Sequence, residues 1–121
     1  MTEPPVSAGY CHCTRCQRRT GSAAAVSANL APGSLRVRGG AELVAAWQPD
    51  DGFAKCFCSN CGGALWSRHP TDHDRVSVRL GTFDRDPGVR PSYRQFVAYA
   101  ATWEPIPDDG LPRFAERRPP A

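Results

Sequence analysis

The chain has 121 residues and a formal net charge of +3, a size that fits one domain with a single modest core. Apolar residues make up 40% of it and charged residues 22%, which excludes a disordered protein. No apolar run is long enough to span a membrane, and the opening stretch MTEPPVSAGY has no apolar segment typical of a secretory signal. We therefore expect a cytoplasmic protein with no membrane partner.

The charged residues are mixed along the chain. Of its 15 basic residues only Lys55 is a lysine, and acidic residues are interleaved with the arginines. The sequence has no basic block of the kind that follows a nucleic-acid backbone. We therefore expect no nucleic-acid partner.

Short strands joined by turns are predicted for most of the chain, because its 12 prolines and 11 glycines interrupt long helices. Apolar alternation and short apolar runs predict strands at residues 6–11, 23–30, 35–38, 42–48, 53–57, 64–68, 76–80 and 93–99. Residues 17–20 allow at most one helical turn. We expect one domain over residues 1–121 with loose ends at 1–5 and 115–121. The proline-rich sequence after Trp103 should be irregular, with Phe114 anchoring part of it.

All six cysteines lie in two short stretches with the same Cys-x-Cys-x-x-Cys spacing. The first stretch reads CHCTRC (residues 11–16) and the second reads CFCSNC (residues 56–61). In a reducing compartment, clustered cysteines favour a metal ion over disulfides. Zinc fits better than an iron–sulfur cluster, because it accepts thiolate ligands without a redox requirement.

Two ligand sets agree with this spacing. The first is a closed tetrahedral site built from the two Cys-x-x-Cys pairs: Cys13, Cys16, Cys58 and Cys61. Spacing alone favours this set, although it leaves Cys11 and Cys56 unused. The second set joins Cys11, Cys13 and Cys16 on one ion and leaves a fourth coordination position open, as a catalytic zinc site requires.

The histidine inside the first stretch should point away from these sulfurs. On a strand, His12 alternates with Cys11 and Cys13, so we expect it on the other face, at the surface or in a supporting position. The three tryptophans are predicted to be core residues rather than a ligand platform: Trp47, Trp66 and Trp103.

Three sequence blocks together resemble a known family. The blocks are GYCHCTRCQRRTGSA, FCSNCGGALWSR and VSVRLGTFD, and their order and separations resemble those of the glutathione-dependent formaldehyde-activating enzymes, a family also named for centromere protein V. The resemblance runs from about residue 9 to residue 114 and includes IPDDGLPRF. It implies a mostly β fold of stacked antiparallel sheets, of the Rab-exchange-factor-like (Mss-type) zinc-binding class, with few or no long helices.

The resemblance also implies two zinc sites. The catalytic site has three cysteines, which match Cys11, Cys13 and Cys16. The structural site combines a Cys-x-Cys pair on an N-terminal hairpin with the pair that matches Cys58 and Cys61. No such hairpin precedes the first cluster in this sequence: either the start is assigned too far downstream or this member lacks it. For the second case we hypothesise a site built from Cys56, Cys58 and Cys61, together with a water or a partner's ligand. The sheet edge exposed without the hairpin would favour a homodimer.

The implied activity is the reversible addition of the glutathione thiol to formaldehyde, a carbon–sulfur lyase type of reaction that gives S-(hydroxymethyl)glutathione. A zinc ion with three thiolate ligands holds a further thiolate better than it makes hydroxide. Arginines should bind the glutathione carboxylates, and the candidates are Arg15, Arg18 and Arg79. The alternatives are a non-enzymatic zinc-binding interaction module and an inactive member of the family.

Overall fold

A computed structural model describes residues 1–119. Its strands are β1 (Ser7–Cys11), β2 (Ala25–Asn29), β3 (Val44–Trp47), β4 (Ala54–Cys58), β5 (Ala64–Arg68), β6 (Val76–Arg79) and β7 (Arg94–Gln95). Its α-helix, α1, covers Thr14–Thr20, and short 3-10 turns cover Ala41–Leu43, Leu80–Thr82 and Val97–Tyr99. Within the described residues, no helix is long and apolar enough to cross a membrane.

The seven strands form one sheet in the order β3-β4-β5-β6-β2-β1-β7. Neighbouring strands are antiparallel except β1 and β7, which pair in parallel through Tyr10 with Arg94 and Cys11 with Gln95. The prediction of a mostly β fold without long helices is confirmed. The structure adds that the strands join in one mixed sheet.

The two faces of the central strands differ in polarity, as the alternation in β6 predicts. Val76 and Val78 are buried and join Leu30 in an apolar cluster. Three half-buried side chains complete this cluster: Leu35, Trp66 and Phe83. The intervening residues of β6, Ser77 and Arg79, therefore lie on the opposite face of the sheet.

Two predicted strands are wrong in whole or in part. Residues 35–38 alternate but pair with no neighbouring strand in the described chain; Leu35 packs on the core, and Arg36 Nη1 donates to the Leu35 carbonyl at 3.1 Å. In the predicted strand 93–99, only Arg94–Gln95 is extended. The strand ends there because Phe96 adopts a left-handed conformation with φ of 57°.

The single helix is longer than predicted, because it begins inside the first cysteine stretch. Cys13 is its N-cap, and the Cys13 Sγ accepts a hydrogen bond from the Cys16 N–H at 3.3 Å. Gly21 ends the helix in a left-handed conformation with φ of 63°, and its N–H donates to the Gln17 carbonyl at 2.8 Å. The Cys-x-x-Cys segment is therefore a helix start.

Both chain ends make hydrogen bonds to the body of the domain. At the N-terminus, the Thr2 N–H donates to the Ser34 carbonyl at 2.8 Å. After Trp103 the chain is irregular, as predicted, and the Phe114 N–H donates to the Arg94 carbonyl at 2.8 Å, which confirms the anchor. Of the predicted loose end at 115–121, residues 120 and 121 lie outside the described residues.

Candidate active site

Three cysteines converge where β1 passes into α1. Cys11 ends the strand, Cys13 caps the helix, and Cys16 lies in the first helical turn. Their sulfur atoms all lie within 4.8 Å of one another. Strand alternation puts Cys11 and Cys13 on one face, and the helical turn brings Cys16 over its own cap. The cluster could therefore bind a metal ion.

Hydrogen bonding within the cluster favours a thiolate. The thiols of Cys11 and Cys16 and the Cys16 N–H lower the pKa of Cys13 to about 2. The same hydrogen bond to Cys13 and burial raise the pKa of Cys11. The hydrogen bonds of the cluster therefore favour a thiolate at Cys13.

The second cysteine stretch has a different geometry. Cys56 is buried in β4, where it lies opposite Ala46 on one side and Trp66 on the other. Cys58 is half-buried and Cys61 is exposed. Hydrogen bonds from the backbone N–H groups of Cys61 and Asn60 lower the pKa of Cys58.

The described residues contain no second group of three metal-ligating side chains. The structure therefore does not bring Cys56 together with Cys58 and Cys61. Nor does it bring the two Cys-x-x-Cys pairs into one site, because Cys11 joins Cys13 and Cys16 instead.

A cavity of about 450 Å³ borders the three-cysteine cluster. Its floor is the polar face of the sheet, with one row across four neighbouring strands: Lys55, Ser67, Ser77 and Asn29. The next row toward the cysteines is Arg79, Ser27 and Gly9. The last row places Ala25 opposite Cys11. A polar surface therefore leads from the sulfurs along the strands.

Two of the three arginines predicted to bind carboxylates line this cavity. Arg79 Nη1 donates to the Ser27 Oγ at 3.0 Å. Arg15 Nη2 donates to the Asp51 carboxylate at 2.7 Å, and its guanidinium lies 5.6 Å from the centre of the Trp47 ring. Arg18 is exposed and is absent from the cavity wall.

Four further cationic side chains, which the sequence did not predict as site residues, line the wall: Lys55, Arg75, Arg117 and Arg118. Burial lowers the pKa of Lys55, which marks it as a partly desolvated cation. Asp51 is the only carboxylate among the described residues of the wall. For Lys55 the sequence held a usable pattern: in β4 it is adjacent to buried Cys56, so strand alternation places it on the opposite face of the sheet. The other three come from segments without such a pattern.

Comparison with known proteins identifies the family. The model of the family described as "Glutathione-dependent formaldehyde-activating enzyme" matches residues 1–99. The chain belongs to this family. A comparison with curated proteins gives no match.

Among solved structures, a crystal structure of a Rhodobacter sphaeroides protein, a structural genomics target, matches with a TM-score of 0.55 and 23% identity. The match covers 90% of this chain and 81% of that chain, and at this identity it supports the fold alone. The formaldehyde-activating family match ends before the last part of the chain, which includes Arg117 and Arg118.

The other side chains singled out from the sequence are now placed. His12, directly after β1, lines a different cavity from the three cysteines, as predicted. It is buried and its Nε2 lies 3.2 Å from Arg94 Nη1, so of the two expected positions it takes the supporting one. Trp66 packs on the core, as predicted. The core prediction is wrong for Trp47 and Trp103, which are 44% and 67% exposed.

Proposed function

We propose that this family member is a zinc-dependent enzyme of the carbon–sulfur lyase type that joins the thiol of glutathione to formaldehyde. The observation that carries the proposal is a cluster of three cysteine sulfurs on a cavity whose other charged side chains are nearly all cationic. Glutathione has one thiol and two carboxylates, so it matches both features. A concave site beside the sulfurs, lined by convergent polar groups, favours a small-molecule enzyme over a zinc-binding interaction module.

The donor set agrees with zinc. Tetrahedral zinc has zinc–sulfur bonds of about 2.3 Å, which places its sulfurs about 3.8 Å apart. The three sulfurs lie within 4.8 Å of one another, so small rotations of the side chains would complete such a site. Cys11, Cys13 and Cys16 would hold the ion, which when bound supplies a position for a thiol sulfur and lowers that thiol's pKa.

The cationic side chains bind and orient the thiol substrate. Lys55 and Arg79 line the floor, where they can donate to a carboxylate that enters the cavity. Arg15 is already paired with Asp51, which fixes its guanidinium at the cavity wall. The partial burial of Lys55 strengthens its attraction for an anion, since less water screens the charge.

The reaction is an addition without a leaving group. The sulfur forms a bond to the carbonyl carbon, and the thiol proton ends on the carbonyl oxygen. Ser27 lies one row from the Ala25–Cys11 pair, and Arg79 donates to its Oγ, so the Ser27 O–H is left to donate into the cavity. We assign to this hydroxyl the hydrogen bond to the aldehyde oxygen as negative charge develops there.

The test is the rate of exchange between glutathione, ¹³C-formaldehyde and their adduct, measured by NMR exchange spectroscopy. The zinc-loaded protein should accelerate the exchange, and Cys13→Ser should reduce the acceleration at least 100-fold, roughly the loss expected when an essential electrostatic group is removed. Cys56→Ala is the control, because Cys56 is outside the cluster and should keep the wild-type rate. Zinc-loaded wild-type protein that leaves the solution rate unchanged would refute the proposal.

A further inference from the structure

The C-terminal arm, residues 113–119, lies against the edge of the sheet beside β7. The Phe96 N–H donates to the Glu116 carbonyl at 2.9 Å, and the Tyr99 hydroxyl donates to Glu116 Oε1 at 2.9 Å. The Arg118 N–H donates to Gln95 Oε1 at 3.0 Å. These contacts fix the backbone on both sides of Arg117, so its position is set by the fold.

Two arginines of the arm line the three-cysteine cavity: Arg117 and Arg118. The Arg118 guanidinium carbon lies 3.9 Å from the centre of the Tyr93 ring. Among residues 1–119, no hydrogen-bond acceptor is found for either guanidinium group. A guanidinium stacked on a ring keeps its N–H edges free, and those edges match a carboxylate.

The sheet register gives the distance between Arg118 and the cysteines. The Tyr93 ring packs against Gly9, and the Tyr93 hydroxyl accepts a hydrogen bond from the Asn29 amide at 3.0 Å. Gly9 is two residues from Cys11 along β1, and Asn29 is four residues from Ala25, which lies opposite Cys11. At about 3.3 Å per residue, the stacked guanidinium is about 7–13 Å from the Cys11 row.

This distance sets a requirement on the thiol. In free cysteine two carbon atoms separate the sulfur from the carboxylate carbon, so this molecule spans at most the short end of the distance between the cluster and the arm. Cysteamine has no carboxylate. A peptide-like thiol whose terminal carboxylate is several bonds from the sulfur spans the distance.

Two cations from the half of the sheet away from the arm line the same cavity. Lys55 lies in β4 and Arg75 immediately precedes β6, and both line the same cavity as Arg118. Lys55 and Arg75 both lie near the Phe53 ring, at 6.0 Å and 5.8 Å from its centre. The cavity therefore has a cationic group on each side, which suits a thiol with a carboxylate at each end.

We infer that Arg117 and Arg118 determine substrate specificity: they bind a carboxylate remote from the thiol and so select peptide-like dicarboxylate thiols over small thiols. The inference rests on the proposed function, because it assigns the substrate class of the same cavity. The arm lies outside the residues that the family model matches.

Calorimetric binding of S-methylglutathione to the zinc-loaded full chain tests the inference. This ligand keeps both carboxylates but has no thiol, so its affinity depends neither on turnover nor on a thiol bound to metal. Arg117→Ala/Arg118→Ala should weaken binding at least tenfold. Arg38→Ala/Arg85→Ala is the matched control, because it removes two charges from exposed positions outside the cavity and should stay within twofold of wild type.

Esterifying the ligand isolates the carboxylates. The diethyl ester of S-methylglutathione should bind wild type and the arm variant with affinities within twofold of each other. If the alanine variant does not fold, Arg117→Gln/Arg118→Gln replaces it, with the same tenfold loss expected. Wild-type affinity for S-methylglutathione in a folded arm variant would overturn the inference.

The outcome is separable from that of the proposed function. Catalytic exchange in wild type with arm-independent binding would refute the arm's role and leave the proposed function standing. Arm-dependent binding without acceleration of the formaldehyde exchange would refute the proposed function and support the arm as a carboxylate site.

Discussion

At the scale of single residues, Gly9 shapes the cavity because it has no side chain. It is buried in β1 and the Tyr93 ring packs directly on it, so that a Cβ built at Gly9 would overlap the ring carbons. This close approach lets the Tyr93 hydroxyl reach Asn29 and lets the ring support Arg118. Because Gly9 has no Cβ, the Tyr93 ring can pack on β1 and support Arg118 in the cavity wall.

Gly9→Ala should destabilise the fold by about 1–3 kcal/mol, the usual cost of overpacking a filled site. Gly39→Ala is the control, because nothing lies within 4 Å of a Cβ at that position, and we expect a change of no more than about 0.5 kcal/mol. Urea unfolding followed by tryptophan fluorescence measures both. Equal free energies of unfolding for the two variants would contradict the packing seen at Gly9.

At the scale of elements, local pattern predicted the strands that have partners on both sides. The predicted strand 64–68 coincides with β5, and the predicted strand 76–80 is one residue longer than β6. Residues 35–38 carry the same alternation, yet within residues 1–119 no strand pairs with them. The backbone pairing that makes a strand depends on a neighbour, which the alternation of one segment does not reveal.

The three-cysteine site could be predicted from the sequence, whereas the cavity beside it could not. The three sulfurs of the cluster are close in sequence, so one strand end and one helical turn bring them together. Lys55 and Arg118, in contrast, come from β4 and from the arm, and they share a cavity only because of long-range strand pairing. The spacing also favoured the closed four-cysteine set, because spacing alone does not show that Cys11, rather than the second pair, joins Cys13 and Cys16.

A hydrogen-bonded network around the buried Arg94 links three segments behind the cysteines. Arg94 of β7 is 7% exposed; it contacts His12 on one side and donates to Asp109 Oδ2 through Nε at 3.2 Å and Nη2 at 2.9 Å. His12 lies between two cysteines of the cluster, and Asp109 belongs to the segment that leads to the arm. The network therefore joins the metal-binding motif, the sheet edge and the C-terminal segment.

Asp109→Asn should lower the urea midpoint at neutral pH, because it leaves the buried Arg94 charge without its carboxylate. The hydrogen bonds from Arg94 lower the pKa of Asp109 below its ordinary 3.8. The stabilisation is therefore complete above the unfolded-state pKa and is lost as the pH falls through the folded-state value.

The difference in midpoint between wild type and Asp109→Asn should consequently be largest above about pH 5 and should vanish in strong acid. Asp108→Asn changes the neighbouring exposed carboxylate and serves as the control, with little change at any pH. A difference that persists undiminished below the folded-state pKa would argue against the ion pair as its source.

At the scale of the whole molecule, the apolar core is small for the length of the chain. Leu30, Val76 and Val78 form its buried cluster, and only Leu35, Trp66 and Phe83 pack around it. The cysteine cluster lies at the junction of β1 and α1. Metal bound there would hold the helix to the sheet and add stability that the core does not supply.

Zinc removal should therefore lower the thermal midpoint. At free zinc about a hundredfold above its dissociation constant, zinc binding contributes about 2.7 kcal/mol to the free energy of unfolding, which raises the thermal midpoint by about 10 °C for a domain of this size.

Elemental analysis should find about one zinc per chain, since the described residues contain one group of three ligating side chains. Cys13→Ser should lose both the metal and the shift, while Cys61→Ser should keep both. A count of about two that falls to one in Cys61→Ser would contradict the single site, because the pair formed by half-buried Cys58 and exposed Cys61 would then bind a second ion with further ligands from outside the described residues.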